Sequence, residues 1–327
     1  MVACVSGSPP VTGIKSCAPA GGADATPVLQ TWGLSKHYKD VAAVDGVDLK
    51  VGSGEVLGLL GPNGSGKSTL LNMIMGFVRP TSGGVAIDGH DLGSARAIAL
   101  ASVGGLVEGS AFYPYLSGRR NIEMLADLRG LPRKRVDEVL ALVRLERAST
   151  RNFGGYSQGM RQRLGVAAAL LHQPRLIVLD EPTSGLDPAG TREMRELLPH
   201  LAAEGTTVIL ASHLLTEVQQ VCEQVAIMQA GQIIMSGSVD SLLQRRNRWR
   251  IRVRAEHVEA AQLLVGHLPE TVGIVRNAAD LLVETPAGGE ALNSALIDAG
   301  IVASEIEPVV PTLEAVFMEL TGEDEVR

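Results

Sequence analysis

The stretch GPNGSGKST, from Gly61 to Thr69, restricts the fold more than any other part of this sequence. It fits the pattern GxxxxGK[ST], in which a glycine-rich loop connects a buried strand to a helix. The preceding EVLGLLG is apolar and of strand length, and the following STLLNMIMGF has helical spacing. Such a loop turns backbone N–H groups toward phosphates, Lys67 reaches the terminal phosphates, and Ser68 ligates Mg²⁺. We assign to the phosphate site Gly61, Pro62, Asn63, Gly64, Ser65, Gly66, Lys67, Ser68 and Thr69.

A second stretch, RLIVLDEP, supplies two carboxylates. Its four apolar residues predict a buried strand that delivers Asp180 and Glu181 to its carboxyl end, where ligands bind in open α/β sheets. An Asp-Glu pair at a strand end also occurs as a simple cap for the next helix. Beside a phosphate loop, we expect Asp180 to hold Mg²⁺ through water and Glu181 to act as the general base that polarises the attacking water.

The order of the remaining segments predicts an α/β core with additions. Strand-like segments from Val28 lead into the loop, helical patterns occupy about residues 94–172, and βαβ alternation follows up to about residue 240. Only 3% of residues are aromatic and 45% are hydrophobic, which suits layers built from aliphatic side chains. We predict a disordered tail at 1–26, a nucleotide-binding domain at 27–240, and a small α+β domain at 241–327. Because every phosphate-contacting motif precedes residue 241, we expect this last part to be dispensable for nucleotide chemistry.

Charge and composition exclude several classes of protein. The net charge of −7 gives no reason to expect nucleic acid as a partner. The segment RRNRWRIRVR places arginines on one face of a strand, a possible nucleic-acid site, but a solvated strand face explains it equally well and is preferred. Three scattered cysteines fit a reducing, cytosolic compartment. The longest apolar runs are far shorter than the roughly 20 residues of a membrane-spanning helix.

Several motifs in register resemble the ATP-binding subunit of an ABC transporter. After the phosphate loop come YSQGM at Tyr156 to Met160, the long stretch RQRLGVAAALLHQPRLIVLDEP, SGLD at Ser184 to Asp187, and SH at Ser212 and His213. The resemblance covers about Val28 to Asp240. It implies a P-loop NTPase core of the ABC type with a helical signature subdomain, which binds ATP with Mg²⁺ and hydrolyses it.

The resemblance also implies how the site is shared between subunits. Ser157 and Gly159 of the signature would meet the γ-phosphate of ATP bound to the opposite subunit, and Asp187 belongs to the same set of ATP-binding residues. Because one chain carries one copy of each motif, two copies would pair head to tail, with two ATP molecules between them. The work of this cycle would be passed to separate transmembrane permease subunits, with the ATPase peripheral on the inner face of the membrane.

Three further residues receive roles from the resemblance. Tyr38 matches the aromatic residue that stacks on adenine, although a tyrosine on a strand is by default only packing. His213 would hydrogen-bond the γ-phosphate and orient Glu181. Glu108 stands where most of the family has glutamine, and would ligate Mg²⁺ next to the surface that receives the permease; the alternative is an exposed loop residue without a role.

Two departures from the common pattern indicate export. The signature reads Tyr-Ser-Gln-Gly-Met, and Glu108 replaces glutamine; both variants resemble drug-resistance, bacitracin and lantibiotic-immunity exporters, as does the terminal EPVVPTLEAVFMELTG. We therefore expect efflux of an antibiotic, peptide or lipid-like compound. A soluble ABC ATPase that acts on ribosomes or DNA is the alternative. A P-loop kinase or GTPase has no use for YSQGM or SGLD.

Overall fold

The computed structural model describes residues 26–107, 112–244, 248–269, 271–277, 280–309 and 312–321. The strands are β1 Leu29–Tyr38, β2 Val41–Val51, β3 Val56–Leu60, β4 Ser82–Ile87, β5 His90–Asp91, β6 Val103–Leu106, β7 Leu176–Asp180, β8 Thr207–Ser212, β9 Gln224–Gln229, β10 Gln232–Ser238, β11 Arg248–Val253, β12 Gly273–Asn277, β13 Asp280–Glu284 and β14 Ala303–Val309. The helices are α1 Lys67–Ile74, α2 Arg96–Ala101, α3 Gly118–Leu128, α4 Arg133–Leu142, α5 Gln158–Leu170, α6 Pro188–Ala203, α7 Leu215–Val221, α8 Val239–Gln244, α9 Val258–Gly266, α10 Gly289–Asp298 and α11 Leu313–Thr321.

The elements from β1 to α8 form the large unit of the protein. A six-stranded sheet in the order β10-β9-β3-β8-β7-β6 lies at its centre. Its strands pair in parallel except β10, which is antiparallel to β9 at one edge. All residues of β3 and β8 are buried, as continuous apolar sequences in a parallel sheet covered on both faces require. The α/β fold class predicted from the sequence is confirmed.

Two further parts cover this sheet. An antiparallel sheet, β2-β1-β4-β5, shares a core with α1 and with one side of the central strands. On the other side, α3, α4 and α5 pack through buried residues such as Ile122, Leu140 and Leu164. The predicted helical span of 94–172 is wrong in one respect, because β6 lies inside it and pairs with β7. The four residues VGGL are too short and too rich in glycine to show a strand pattern.

The small unit, residues 248–309, has its own sheet and core. Its strands run in the order β12-β13-β11-β14, all antiparallel, with α9 and α10 between them in sequence, which is the split βαβ arrangement. Ile251, Val253 and Leu281 of the sheet pack against Val258 and Leu296 of the helices. This organisation agrees with the small α+β unit expected here.

The arginine-rich strand β11 is electrically balanced by its neighbours. Arg250 contacts Glu307 at 2.7 Å, and Arg252 contacts Asp280 at 2.7 Å, across adjacent strands. Arg248 pairs with Glu284 in the same way. Within the described residues of this segment, the three arginines of β11 therefore form a ladder of cross-strand ion pairs.

Helix α11 packs on the large unit and not on the small sheet. Leu313 and Phe317 belong to the same core as Val218 of α7 and Leu242 of α8. The backbone N–H of Leu313 also donates to the side chain of Gln219 at 3.1 Å. The domain division at residue 240 stays a prediction, but the packing places segments from both sides of the small unit in the large core.

Candidate functional site

The phosphate loop lies between β3 and α1, and two of its glycines leave no room for a side chain. A Cβ at Gly66 would lie 2.3 Å from the carbonyl oxygen of Ala43, and its φ of 104° is one that other residues rarely adopt. At Gly61, a Cβ would lie 2.4 Å from the carbonyl oxygen of Met228. Glycine at these two positions therefore lets the loop backbone pass close to its neighbours. The first N–H groups of a helix have no partner within the helix, so those at the start of α1 can bind an anion.

Lys67 is buried at the first position of α1. Its Nζ donates to the carbonyl oxygens of Gly61 at 2.6 Å and Pro62 at 3.1 Å. Burial lowers the pKa of the Lys67 ammonium, while the negative charges of Glu181 and Asp180 oppose that shift. The ammonium is thus held inside the loop by neutral groups, which a phosphate would replace with stronger, charge-assisted hydrogen bonds.

Ser68 and Asp180 come together across the loop and the end of β7. The Ser68 hydroxyl donates to Asp180 Oδ2 at 3.0 Å. A hydroxyl and a carboxylate oxygen are hard ligands, the kind that Mg²⁺ takes from protein when phosphate and water complete its octahedral shell. These two side chains fit the cation predicted for this position.

Glu181 and His213 form the next pair, at the ends of the adjacent strands β7 and β8. The Nδ1–H of His213 donates to the carboxylate of Glu181, at 2.8 Å to Oε1 and 2.9 Å to Oε2. The Glu181 backbone has φ of 49°, and its N–H donates to the carbonyl oxygen of Ala211 at 3.0 Å. A left-handed conformation at a residue other than glycine is strained, and such strain is concentrated at functional sites.

The signature residues lie in a second group, against the SGLD segment. Ser157 accepts a hydrogen bond from the N–H of Met160 as the N-cap of α5, and Asp187 accepts one from Gly190 as the N-cap of α6. A Cβ at Gly159 would lie 3.6 Å from the Cα of Gly190, so the two helix starts are in contact. Over the part of the chain that the structure describes, no hydrogen bond joins Ser157 or Gly159 to the phosphate loop.

Tyr38 and Glu108 are the two remaining residues to which the sequence gives a role. Tyr38 ends β1 with about half of its side chain exposed, and Lys36 Nζ lies 5.0 Å from its ring centroid. An exposed ring at this place suits a stacked base, and that role stays a prediction. Glu108 lies outside the described residues, so its role as a metal ligand also stays a prediction.

The sequence analysis did not identify Glu217, a buried polar residue close to the site. Glu217 on α7 accepts hydrogen bonds from Thr183 and Arg195. Its sequence neighbourhood, LLTEVQQV, resembles any short amphipathic helix. Only the three-dimensional contacts single it out.

Within the described residues, no helix combines the length and the apolar character needed to cross a lipid bilayer.

Comparison with known proteins gives consistent similarities. The profile of the family described as ABC transporter matches residues 44–184. An uncharacterized ABC transporter ATP-binding protein of Bacillus subtilis (strain 168) is 37% identical over 91% of this chain and 96% of its own length. The bacitracin transport ATP-binding protein of Bacillus licheniformis is 34% identical over 90% and 97%. A daunorubicin resistance ATP-binding protein of Streptomyces coeruleorubidus is 36% identical over 89% and 95%.

Solved structures of ATP-binding cassettes are similar to part of the chain. A dimeric ATP-binding cassette in a post-hydrolysis state, bound to ADP and Pi, superimposes with a TM-score of 0.59 at 28% identity. The match covers 64% of this chain and 98% of that cassette. The similarity to this structure therefore covers 64% of the chain, whereas the similarity to the bacitracin transport relative covers 90%.

Proposed function

The chain belongs to the ABC transporter family, as one of its ATP-binding proteins, and on that premise we propose that it powers export of an antibiotic, peptide or lipid-like compound through a separate permease. Members of this family bind ATP and hydrolyse it to drive transport. The chain is therefore an ATPase. Two of its relatives over nearly the full length are a bacitracin transport protein and a daunorubicin resistance protein, which favours this function over action on ribosomes or DNA.

The observation that carries the export proposal is the extent of the match. A cassette alone accounts for 64% of this chain, but the bacitracin transport relative is similar over 90%. The shared length therefore includes the small unit as well as the ATPase core. Cassettes that serve other transporters need not carry such a unit, so the whole arrangement supports the exporter class.

In the proposed reaction, Glu181 is the general base for the water that attacks the γ-phosphate. His213 holds the Glu181 carboxylate through Nδ1, which leaves Nε2 for the γ-phosphate. Lys67 exchanges its loop carbonyls for phosphate oxygens as ATP enters. The strained backbone at Glu181 fixes the direction in which its side chain leaves the strand.

Ser68, Asp180 and, by resemblance, Glu108 would hold Mg²⁺. When bound, the cation neutralises developing negative charge on the phosphate oxygens. The Ser68–Asp180 hydrogen bond keeps both oxygens directed to one point before nucleotide arrives.

ABC ATP-binding subunits work as dimeric cassettes together with transmembrane permease subunits. We propose a head-to-tail homodimer for this chain. The separation of the site into two groups supports it: the first holds Lys67 and Glu181, and the second holds Ser157 and Asp187. The first group of each subunit would form a complete ATP site with the second group of its partner subunit. The dimer would be cytoplasmic, on the inner face of the membrane through its permease.

The test is co-expression of this chain with the membrane protein encoded beside it in a host sensitive to bacitracin and to daunorubicin. We expect ATP-dependent efflux and raised resistance to one of the probe compounds or to a related one, and Glu181→Gln should abolish both. Co-purification with ribosomes or DNA, without binding to the membrane protein, would overturn the exporter assignment.

A further inference from the structure

Glu217 is a buried carboxylate that is not among the residues assigned above to nucleotide binding. It is 6% exposed and lies on α7, which starts just after His213. The Thr183 hydroxyl donates to Glu217 Oε2 at 2.5 Å, and Arg195 Nη2 donates to Oε1 at 3.4 Å. Thr183 is itself 6% exposed. Burying a carboxylate is costly unless its oxygens are satisfied, and here both are.

The partners of Glu217 lie on two different segments. Thr183 belongs to the stretch from Glu181 to Asp187, which we name the catalytic segment. Arg195 belongs to α6, and its Nη1 also donates to Gln220 of α7 at 2.7 Å. One carboxylate therefore ties the catalytic segment and α6 to the helix that follows His213.

The hydrogen bonds from the catalytic segment to other elements otherwise lie at its ends, and Leu186 packs against the large core. The N–H of Glu181 donates to Ala211 at the start, and Asp187 caps α6 at the end. Between them, the backbone makes local turns, such as the bond from Leu186 N–H to the Thr183 carbonyl at 3.2 Å. The Thr183 side chain anchors the middle of the segment to another element.

We propose that Glu217 is a positioning residue for ATP hydrolysis, which acts through Thr183 on the catalytic segment. It holds Glu181 in register with His213, and Asp187 in register with the signature. The proposal rests on the assignment of Glu181 as general base under the proposed function. Because Lys67 and the phosphate loop lie on other segments, loss of the anchor should slow hydrolysis and leave ATP affinity nearly unchanged.

The test uses the full chain with Thr183→Val, which removes the hydroxyl and keeps the shape, and Thr183→Ser, which restores the hydroxyl. We expect kcat to fall about 10-fold or more in Thr183→Val with KM within about twofold of wild type, since small misplacement of a catalytic group has effects of this size. Thr183→Ser should retain most of the wild-type rate. If Thr183→Val does not yield folded protein, Thr183→Ala removes the same hydroxyl without the added methyl group.

A double-mutant cycle assigns the effect to the contact. In a Glu217→Ala background, Thr183→Val should cost little more, because the hydrogen bond is already absent. An undiminished cost in that background would overturn the role of Glu217. A wild-type kcat in Thr183→Val, with only a lowered Tm, would show that the contact is structural and would also overturn it. Glu181→Gln is the control: if it hydrolyses ATP normally, the assignment of Glu181 as general base under the proposed function fails, and otherwise only this inference is at stake.

Discussion

We call the end of the large sheet where β3, β7 and β8 finish its nucleotide edge. Both this edge and the small sheet of residues 248–309 carry charged side chains, but the partners of those charges differ. In the small sheet, Arg250 and Arg252 each face an acidic side chain on a neighbouring strand. At the nucleotide edge, Lys67 is held by two carbonyl oxygens of its own loop. Charge cancelled within the sheet supports structure, whereas a cation held by neutral groups is free to change partners when a phosphate arrives.

The two regions also differ in how regular their backbone is. β11 and β13 pair without a register shift from Arg248 to Arg252. At the nucleotide edge, Gly66 and Glu181 both have positive φ. Regular pairing of these two strands supports stability, and at the nucleotide edge the two positive φ angles lie where a ligand would bind.

The largest effect is expected from Glu181→Gln, which tests whether the nucleotide edge is the reactive region. The amide cannot act as a base, so hydrolysis should fall by at least about 10²-fold, while ATP binding persists. Sizing chromatography should then show an ATP-dependent dimer. Lys67→Ala is the matched control, because it should lose binding and remain monomeric. A Glu181→Gln protein that stays monomeric and turns over ATP at the wild-type rate would remove Glu181 from the mechanism.

A smaller but clear effect is expected from Leu313→Ala. Leu313 is fully buried, and truncation should cost about 2–5 kcal/mol of unfolding free energy. Because α11 packs on the large unit, the cassette and not the small sheet should be destabilised. Calorimetry checks the cost, with the exposed Leu263 of α9, changed to Ala, as control. Equal losses in both variants would contradict the assignment of α11 to the large core.

A modest pH effect is expected in the small sheet. The hydrogen bond from Arg252 lowers the pKa of Asp280 below its ordinary 3.8, so the pair stabilises the folded state above that value and loses its contribution as the pH falls through the lowered pKa. The Tm difference between wild type and Arg252→Gln should therefore persist at neutral pH and shrink as the pH falls below about 4. Trp249 fluorescence in a Trp32→Phe background reports this unit, since Trp249 packs on its core. A difference that stays constant with pH would refute the pair.

The smallest effect is expected from a variant in which a short Gly/Ser linker replaces residues 245–311 and α11 is retained. We expect no change in its nucleotide chemistry. Helices α8 and α11 pack together, so a short linker spans the gap. ATP binding and basal hydrolysis should remain at wild-type levels. Simple truncation after residue 240 should instead destabilise the cassette, because it removes Leu313 and Phe317. If the linker variant folds but cannot bind ATP, the two units are not independent in nucleotide chemistry.

Sequence patterns predicted the parts of the site whose chemistry requires fixed local spacing. The phosphate loop and the pair Asp180 and Glu181 are predicted in this way, because the loop or strand and its proposed ligand residues lie within a few residues of each other. The contact between Thr183 and Glu217 spans 34 residues and leaves no local signal. The strained φ of Glu181 likewise depends on tertiary contacts.

The fold was predictable to a similar extent. Apolar periodicity predicted the strands of the core and a helix near TLEAVFMEL, but periodicity shows only that one face is apolar and not which core receives it. The docking of α11 on α7 therefore came only from the structure. The same reason explains why the strand order of the small sheet was not predicted.

The packing of α11 has a consequence for how the protein is made. Translation delivers the small unit after α8 and before α11, so a nascent cassette that has emerged up to residue 244 still lacks part of its own core. The small sheet can close on the ribosome while α7 and α8 still expose the surface that Leu313 and Phe317 will cover. The core of the cassette is thus completed only late in synthesis, so we expect chains that end before residue 317 to be degraded by proteases faster than the full chain.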